Sequence, residues 1–275
     1  MINRAELKTR AKAVMARSYV KMLAACALVS VISYFGAGVS VDKIKSISTA
    51  NVSAFQVTVA TMAVIGMSII GILIAIFAIN PLKVGLKKFM IENARHDADI
   101  NILFEPFRKD YGNIVLVQFM RGLYVALWSL ISIIPLIVLE LAFGITGKIQ
   151  ILSESVLAGQ KSAALPLAGI LFLICVLMLI FSIPSVIKDL QYAMVPYLLA
   201  ENSRLDWKTA LSESKEIMVG NKWGYAKLCI SFVPWFVVAY LSCCIGTFLL
   251  LPYPEATFAE LYLELSGQNL TYQQY

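Results

Sequence analysis

The chain has 275 residues, of which 59% are hydrophobic and 15% are charged, and its mean hydropathy is +0.77. This composition excludes an ordinary soluble domain, which needs more polar surface. Several apolar runs approach or exceed the roughly 20 residues that cross a hydrocarbon core of about 30 Å. Because these runs are continuously apolar rather than alternating, they exclude a β-barrel and predict an all-α fold, a polytopic membrane helical bundle.

The excess of basic residues, 23 Lys+Arg against 17 Asp+Glu, is interpreted as a topology signal. No basic patch is interleaved with exposed aromatic residues, so no nucleic-acid partner is predicted. Six basic residues lie in each of three segments, 1–21, 83–112 and 188–227, whereas the two predicted outer loops hold two each. Since basic loops face the cytoplasm, the chain is predicted to be a multi-pass protein of the cell membrane with a cytoplasmic N terminus.

The first 21 residues predict a basic amphipathic helix on the inner membrane surface, with Leu7, Ala11 and Val14 at helical spacing. Asn3 and Glu6 have the spacing of a capping box. The alternative is the start of a signal peptide that is cleaved near residues 35–38. The long periodic pattern favours an uncleaved anchor.

Six membrane spans follow from the apolar runs, at residues 22–39, 55–79, 113–139, 164–183, 223–241 and 247–263. The second and fourth are predicted to end at Asn80–Pro81 and Pro184, because proline breaks or kinks a helix. A tight hairpin at residues 242–246 separates the last two spans. One long tilted fifth span with an external C terminus is the alternative.

Polar segments connect these spans. Residues 40–54 and 143–163 are predicted outer loops, and residues 83–112 form a basic inner block. A helix with one apolar face is predicted to begin after Asp206, an N-cap, and to end at Gly220. Its apolar face consists of Trp207, Ala210, Leu211, Ser214 and Met218.

The chain is predicted to be one membrane domain, 1–275, that contains three pseudo-repeats, 1–95, 96–200 and 201–265. Each has an amphipathic segment, an aromatic junction, an outward span and an inward span that proline breaks. The junctions are Ser18–Tyr19, Asp110–Gly112 and Lys222–Tyr225, and the closing prolines are Pro81, Pro184 and Pro252. The spans would therefore form three hairpins that enter from the cytoplasm, with amphipathic helices on that side.

Residues 192–202, Tyr-Ala-Met-Val-Pro-Tyr-Leu-Leu-Ala-Glu-Asn, resemble the hallmark of a family of bacterial integral membrane proteins, "domain of unknown function 975". The segments 210–214, 220–223 and 251–257 resemble the same family, as does the start at residues 4–8. Leu190–Gln191 departs from it, since a small or polar residue is more usual there. The family is distantly similar to the membrane domain of glycerophosphodiester phosphodiesterases. The resemblance implies a function close to membrane lipid, and it assigns no catalytic residues.

No motif predicts an enzyme. The chain has no P-loop, no HExxH and no GxSxG sequence. His96, Asp97 and Asp99 are interpreted as a solvated loop rather than a metal site, and no cofactor is predicted. The five cysteines, none in a CxxC pair, are interpreted as free thiols: Cys26, Cys175, Cys229, Cys243 and Cys244.

Charged residues within predicted spans are the better indication of a site. Arg121 lies about two turns into the third span, and Glu255 lies in the sixth. The hypothesis is that Arg121, Tyr192 and Glu255 line a polar cavity that faces the cytoplasm. The alternative for Arg121 is that its side chain extends to the inner interface.

The predicted function is therefore non-enzymatic. A cavity of this kind would bind or move an amphiphile, a membrane lipid or a hydrophobic peptide. The alternative is an accessory or scaffold subunit that docks a membrane protein partner through its cytoplasmic helices.

Overall fold

A computed structural model describes residues 3–37, 54–160, 162, 164–241 and 245–267. Within these ranges all regular secondary structure is helical. The chain divides into two compact units. The larger unit comprises Met1–Met120 and Ala193–Tyr275, and the smaller comprises Arg121–Tyr192. The predicted outer loop at 40–54, up to residue 53, and residues 242–244 of the predicted hairpin lie outside the described residues.

The first five α-helices are α1 (Arg4–Ala37), α2 (Ala54–Ile74), α3 (Asn80–Arg95), α4 (Glu105–Arg108) and α5 (Tyr111–Ser129). They are followed by α6 (Ile134–Phe143), α7 (Ile145–Leu157), α8 (Ala164–Gln191), α9 (Val195–Glu201) and α10 (Trp207–Ile217). The last four are α11 (Lys222–Ile230), α12 (Val233–Leu241), α13 (Ile245–Leu250) and α14 (Pro252–Leu265). A π-helix (Ala75–Ile79) joins α2 to α3, and 3-10 turns precede α4 (Ile100–Phe104) and α6 (Leu130–Ile133).

Five helical stretches among the described residues are long and apolar enough to cross a membrane. They are Arg4–Ser33, Ile65–Arg95, Tyr111–Leu141, Ala164–Glu201 and Lys222–Leu241. The segment predicted as the sixth span is divided at Leu251 into α13 and α14. The coarse prediction of a helical membrane protein is supported, whereas the count of six spans in three hairpins stays a prediction.

Helix α1 joins the predicted surface helix to the first span through a kink at Ser18, where φ is −140°. The Ser18 hydroxyl donates a hydrogen bond to Oδ1 of Asn93 at 2.9 Å. The guanidinium of Arg17 donates to the backbone carbonyl of the same asparagine. Asn93 is completely buried. The kink is thus held by polar contacts to the end of α3.

Helix α3 lies at the centre of the larger unit and packs against α1, α9 and α14. We call these four packed helices the helical core. Its fully buried large side chains include Leu7, Met22, Phe89, Met90, Ile91, Leu199 and Tyr262. Burying one side chain of this size contributes about 2 kcal/mol. The ends of three candidate spans, in α1, α3 and α9, therefore form a packed core together with α14.

Two matched contacts link span ends in the larger unit. The Tyr19 hydroxyl donates to the carbonyl of Leu249 at 2.9 Å, three residues before Pro252. The Tyr111 hydroxyl donates to the carbonyl of Phe77 at 2.7 Å, four residues before Pro81. Both tyrosines belong to predicted repeat junctions and both carbonyls precede closing prolines. These contacts agree with the predicted repeat, which no comparison tests.

Two predicted proline breaks are wrong in detail. The chain remains helical through Asn80–Pro81, where Pro81 occupies the first turn of α3 after the π-helix. Helix α8 continues through Pro184 to Gln191. Proline is tolerated in the first turn of a helix because a backbone N–H there has no helical acceptor. Inside an apolar helix, a local change in the backbone geometry accommodates a proline without ending the helix. The chain instead leaves α8 in a turn before Pro196, which lies in the first turn of α9.

Helix α10 begins at Trp207, as the capping pattern predicts, and the Asp206 side chain accepts a hydrogen bond from the backbone N–H of Lys208. Ala210, Leu211, Ser214 and Met218 are buried. The turn after the helix contains Gly220 with φ +76°, a conformation that glycine adopts without strain.

The smaller unit exposes many apolar side chains. Leu141 and Leu165 are 83% and 82% exposed, and Phe172 is 71% exposed. Exposed apolar surface on this scale indicates contact with lipid. The segment 143–163, predicted as a loop, contains α7, in which Ile145, Ile149, Leu152 and Val156 are half-buried at helical spacing.

Candidate functional site

A cleft of about 370 Å³ lies in the larger unit, between the spanning part of α1 and the first half of α3. Four residues of α1 that share one helical face line one wall: Cys26, Val29, Ser30 and Ser33. The other walls are formed by Lys83, Leu86 and Lys87 of α3, together with Leu251 and Glu255 at the start of α14. The cleft therefore combines apolar groups with hydroxyls and charges in one space.

The Lys87 ammonium and the Glu255 carboxylate form an ion pair in this cleft. Their side chains are 17% and 27% exposed, so solvent screens the pair only in part. The same ammonium lies 5.1 Å from the ring centroid of Tyr197, within cation–π range. The carboxylate and the aromatic face together hold Lys87 at the boundary between the cleft and the helical core.

A polar network behind the cleft connects α9, α14 and the end of α3. The rings of Tyr197 and Tyr262 stack with centroids 5.2 Å apart. The Tyr262 hydroxyl donates to Oε2 of Glu201 at 2.6 Å, and Arg95 donates to Oε1 of the same carboxylate at 2.5 Å. Arg95 also contacts Glu92 at 3.5 Å. This network fixes the position of the tyrosine that faces Lys87.

The segment after α3 is held by a second set of charges. Glu105 accepts hydrogen bonds from Lys88 at 2.7 Å and from Lys109 at 2.9 Å. The bond from Lys88 is the main cause of the lowered pKa of Glu105, so this carboxylate stays ionised at neutral pH. It therefore attaches α4 firmly to α3.

The three residues predicted to share a cavity belong to two different units of the structure. Glu255 belongs to the larger unit and lines the cleft described above. Arg121 and Tyr192 belong to the smaller unit. Within that unit Arg121 contacts Asp189 at 3.2 Å, and the Tyr192 ring faces Tyr124 with centroids 6.4 Å apart. A single cavity lined by all three stays a prediction.

Arg121 has partners suited to the edge of the hydrocarbon core. Its ion-pair partner Asp189 is preceded in α8 by Lys188, whose ammonium lies 4.5 Å from the Trp128 ring centroid. From Arg121 to Leu141 the helical stretch covers 20 further residues, about 30 Å at the α-helical rise. This length is that of one hydrocarbon core, which favours the interpretation that Arg121 lies at the interface.

A family model described as "Protein of unknown function (DUF975)" matches residues 1–269. The chain belongs to this family. The resemblance noted in residues 192–202 is thereby confirmed, whereas the distant similarity to the phosphodiesterase membrane domain stays a prediction. No curated protein and no solved structure matches the chain.

Sequence reasoning missed most of the cleft in this DUF975 family member. Lys83 and Lys87 both come after Pro81. They are four residues apart, which places them on one helical face. Cys26, Ser30 and Ser33 form a stripe of small polar residues in the first span. Those two patterns are visible in the sequence, but the proximity of α1, α3 and α14 is not.

The acidic residues that follow α3, Asp97 and Asp99, form structural contacts in this family member. The Asp97 carboxylate accepts a hydrogen bond from Lys21 at 2.7 Å, and Asp99 accepts one from the backbone N–H of Asn101 at 3.2 Å. His96 lies 3.3 Å from Glu92. Within the described ranges no group of three or more His, Cys, Asp or Glu side chains is arranged to hold a metal ion.

Proposed function

We propose that this protein binds a membrane amphiphile in the cleft between α1, α3 and α14, and that it has no catalytic role there. The cleft itself is the observation that carries the proposal. Val29, Leu86 and Leu251 supply apolar surface for a chain, and Lys87 and Glu255 supply charges for a headgroup. Pockets of 300–1,000 Å³ with a few convergent polar groups are typical of small-molecule sites.

The surroundings of the cleft support an amphiphile over a soluble ligand. One wall belongs to the candidate span Arg4–Ser33, so a chain bound beside Val29 can continue into the bilayer. The opposite wall belongs to α3, which forms the end of the candidate span Ile65–Arg95 and packs against α9 and α14. An amphiphile could then enter from the lipid while its headgroup meets a rigid polar surface.

Filling the cleft is expected to abolish binding. Ser30→Trp places an indole in the space that the ligand would occupy, and we expect retained lipid per protein to fall at least about tenfold. Val31→Trp is the matched control, since Val31 is the next residue of α1 and is 44% exposed. Lipid retained after mild detergent extraction is quantified by native mass spectrometry.

Equal retention by Ser30→Trp, Val31→Trp and wild type would overturn the proposal, as would a wild type that retains no amphiphile. Ser30→Leu, a smaller change, gives an intermediate loss if occupancy of the cleft is the cause. The melting temperature of each variant is also measured. A loss of lipid in a variant that melts at the wild-type temperature is due to blocking of the cleft and not to misfolding. A membrane protein that co-purifies stably with every variant would instead favour the scaffold function.

We also propose that the N terminus and the 83–112 block face the cytoplasm of the cell. Eighteen basic residues in three segments support this orientation. Single cysteines are introduced in a cysteine-free background at three exposed positions, Thr9, Gln150 and Ser212. A membrane-impermeant maleimide is expected to label Gln150→Cys on intact cells, and Thr9→Cys and Ser212→Cys only after permeabilisation. Labelling of Thr9→Cys on intact cells would reverse the orientation.

A further inference from the structure

The outer surface of the larger unit has two zones. Along α2 and the π-helix it carries large apolar side chains, such as Ile70 and Phe77, which are 57% and 50% exposed. Around the helical core it carries exposed charges, such as Lys109 and Arg204, whose side chains are 70% and 84% exposed. We infer that α3, α9, α14 and the part of α1 before Val29 lie outside the hydrocarbon core and contact the lipid headgroup layer at the level of the cleft.

The junction of the π-helix with α3 marks this boundary. Phe77 is half-exposed, whereas Ile79 and most residues of the first two turns of α3 are buried. Residues 54–79 are helical, and these 26 residues are more than the roughly 20 that cross a hydrocarbon core. In α3, Lys87 and Lys88 each form an ion pair. The membrane crossing therefore does not need α3, and its charges indicate that the hydrocarbon ends close to Ile79.

The same level in α1 follows from its pairing with α3. Ser18 binds Asn93 at one end of the pair, and the cleft lies between later residues of α1 and the first half of α3, so the two helices run antiparallel. From that contact, Val29 is 11 residues onward and Lys83 is 10 residues back, about 16 and 15 Å at the α-helical rise. Val29 is therefore level with the start of α3, and the predicted span start, Met22, lies about 10 Å before it.

The ion pair of the cleft supports a boundary at Val29 rather than at Met22. Lys87 and Glu255 line the cleft together with Cys26, and their side chains are 17% and 27% exposed. If the hydrocarbon began at Met22, this pair would lie about a turn inside it, where charges are costly. With the boundary at Val29 the pair lies in the headgroup layer, and the cleft opens to that layer.

The connection between α9 and α10 also belongs outside the hydrocarbon. Residues 202–206 are not helical, and the Asn113 side chain donates hydrogen bonds to the carbonyls of Ser203 and Leu205 at 2.7 and 2.8 Å. Arg204, between those two residues, is highly exposed. Irregular backbone beside an exposed charge is not accommodated in lipid. The packed end of α9 is therefore in water or among headgroups.

Spin labels at single cysteines test the boundary in the full-length protein, in a cysteine-free background and in phosphatidylcholine vesicles. Depth is measured by the accessibility of each label to oxygen and to a water-soluble nickel complex. Val31 and Ile70 are each nine residues inside the predicted spans 22–39 and 55–79, so those spans place both labels equally deep. We expect instead that Val31→Cys is as shallow as Phe77→Cys, and that Ile70→Cys is about 10 Å deeper than both. Ala24→Cys, at an exposed position, should lie in the aqueous phase.

A Val31 label as deep as the Ile70 label would overturn the inference and return the boundary to Met22. Low accessibility of the Ala24 label to both reagents would overturn it as well, because a protein partner rather than headgroups and water would then cover that surface. Leu28→Cys gives a second reading in α1 if Val31→Cys does not fold. Its label is expected at the boundary itself, whereas the predicted span places it about 9 Å inside.

Failure of the inference is distinguishable from failure of the proposed function, because label depth does not depend on a ligand in the cleft. If Ser30→Trp loses the amphiphile and the Val31 label is deep, the binding site stands and the boundary is wrong. If the Val31 label is shallow and wild type retains no amphiphile, the boundary stands and the proposed function is wrong.

Discussion

Gly85→Ala is expected to destabilise the protein by about 3 kcal/mol or more, because it forces α3 away from the chain that follows it. A Cβ atom at position 85 would lie 2.0 Å from the carbonyl oxygen of Leu103 and 2.8 Å from its carbonyl carbon. Both are backbone atoms, so no rotamer change can relieve the overlap. The gain in helix propensity, about 1 kcal/mol, is too small to offset it.

The measurement is the apparent melting temperature in detergent, with an expected decrease of about 10 °C. Gly112→Ala is the matched control, since no described atom beyond its chain neighbours and its own helix backbone lies within 4 Å of the added Cβ, and its melting temperature should not fall. Because Gly85 lies between Lys83 and Lys87, the displaced helix should also lose the amphiphile. Equal stability of the two variants would show that α3 does not approach Leu103 this closely.

Arg95→Met is expected to cost about 2–4 kcal/mol, since it leaves the carboxylates of Glu92 and Glu201 without their shared cation. The side chains of Arg95 and Glu201 are only 16% and 21% exposed, so water compensates the loss poorly. The Tyr262 hydroxyl would still donate to Glu201. Tyr262→Phe, which removes one hydrogen bond to a charged group, should cost about 1.5–3 kcal/mol.

Arg204→Met is the control for this network. Arg204 has a side chain that is 84% exposed and contacts Asp110 at 3.5 Å, so its loss should change stability by less than about 1 kcal/mol. Arg95→Met combined with Glu201→Gln should be less damaging than the sum of the single changes, because the unpaired charge is gone. Strict additivity in chemical unfolding would mean that the two side chains do not interact.

The two arginines also show a repeat signal that sequence reasoning overlooked. The pattern Glu-Asn-x-Arg-x-Asp occurs at residues 92–97 and again at 201–206. A residue near the start of a predicted span contacts each copy. Ser18 donates to Asn93, and Asn113 donates to the backbone carbonyls of Ser203 and Leu205. The threefold repeat itself stays a prediction. The arginines nevertheless differ in burial, which depends on the helices packed around each.

Features of the fold that depend only on neighbouring residues can be predicted from the sequence. The cap at Asp206 depends on a few neighbouring residues and agrees with the structure, and the helix ends at Ile217, three residues before the predicted Gly220, which lies in the turn that follows. Proline was over-interpreted, because a continuous helix through Pro184 depends on what surrounds that turn rather than on the proline alone. The helix at Ile145–Leu157 was missed because its apolar residues are interspersed with polar ones in a segment interpreted as a loop.

The amino-acid sequence alone indicated a helical membrane protein that resembles the DUF975 family, and it placed the third and fifth spans within a few residues of the candidate spans Tyr111–Leu141 and Lys222–Leu241. The membrane class follows from composition and the length of the apolar runs, and the family from the resemblance of short segments such as residues 192–202, all of which are local. Only the tertiary structure decided the partners of the charges. Glu255 pairs with Lys87, a residue 168 positions earlier in the chain, and Arg121 pairs with Asp189. An ion pair depends on distance in space, and that distance is set by packing between helices far apart in sequence.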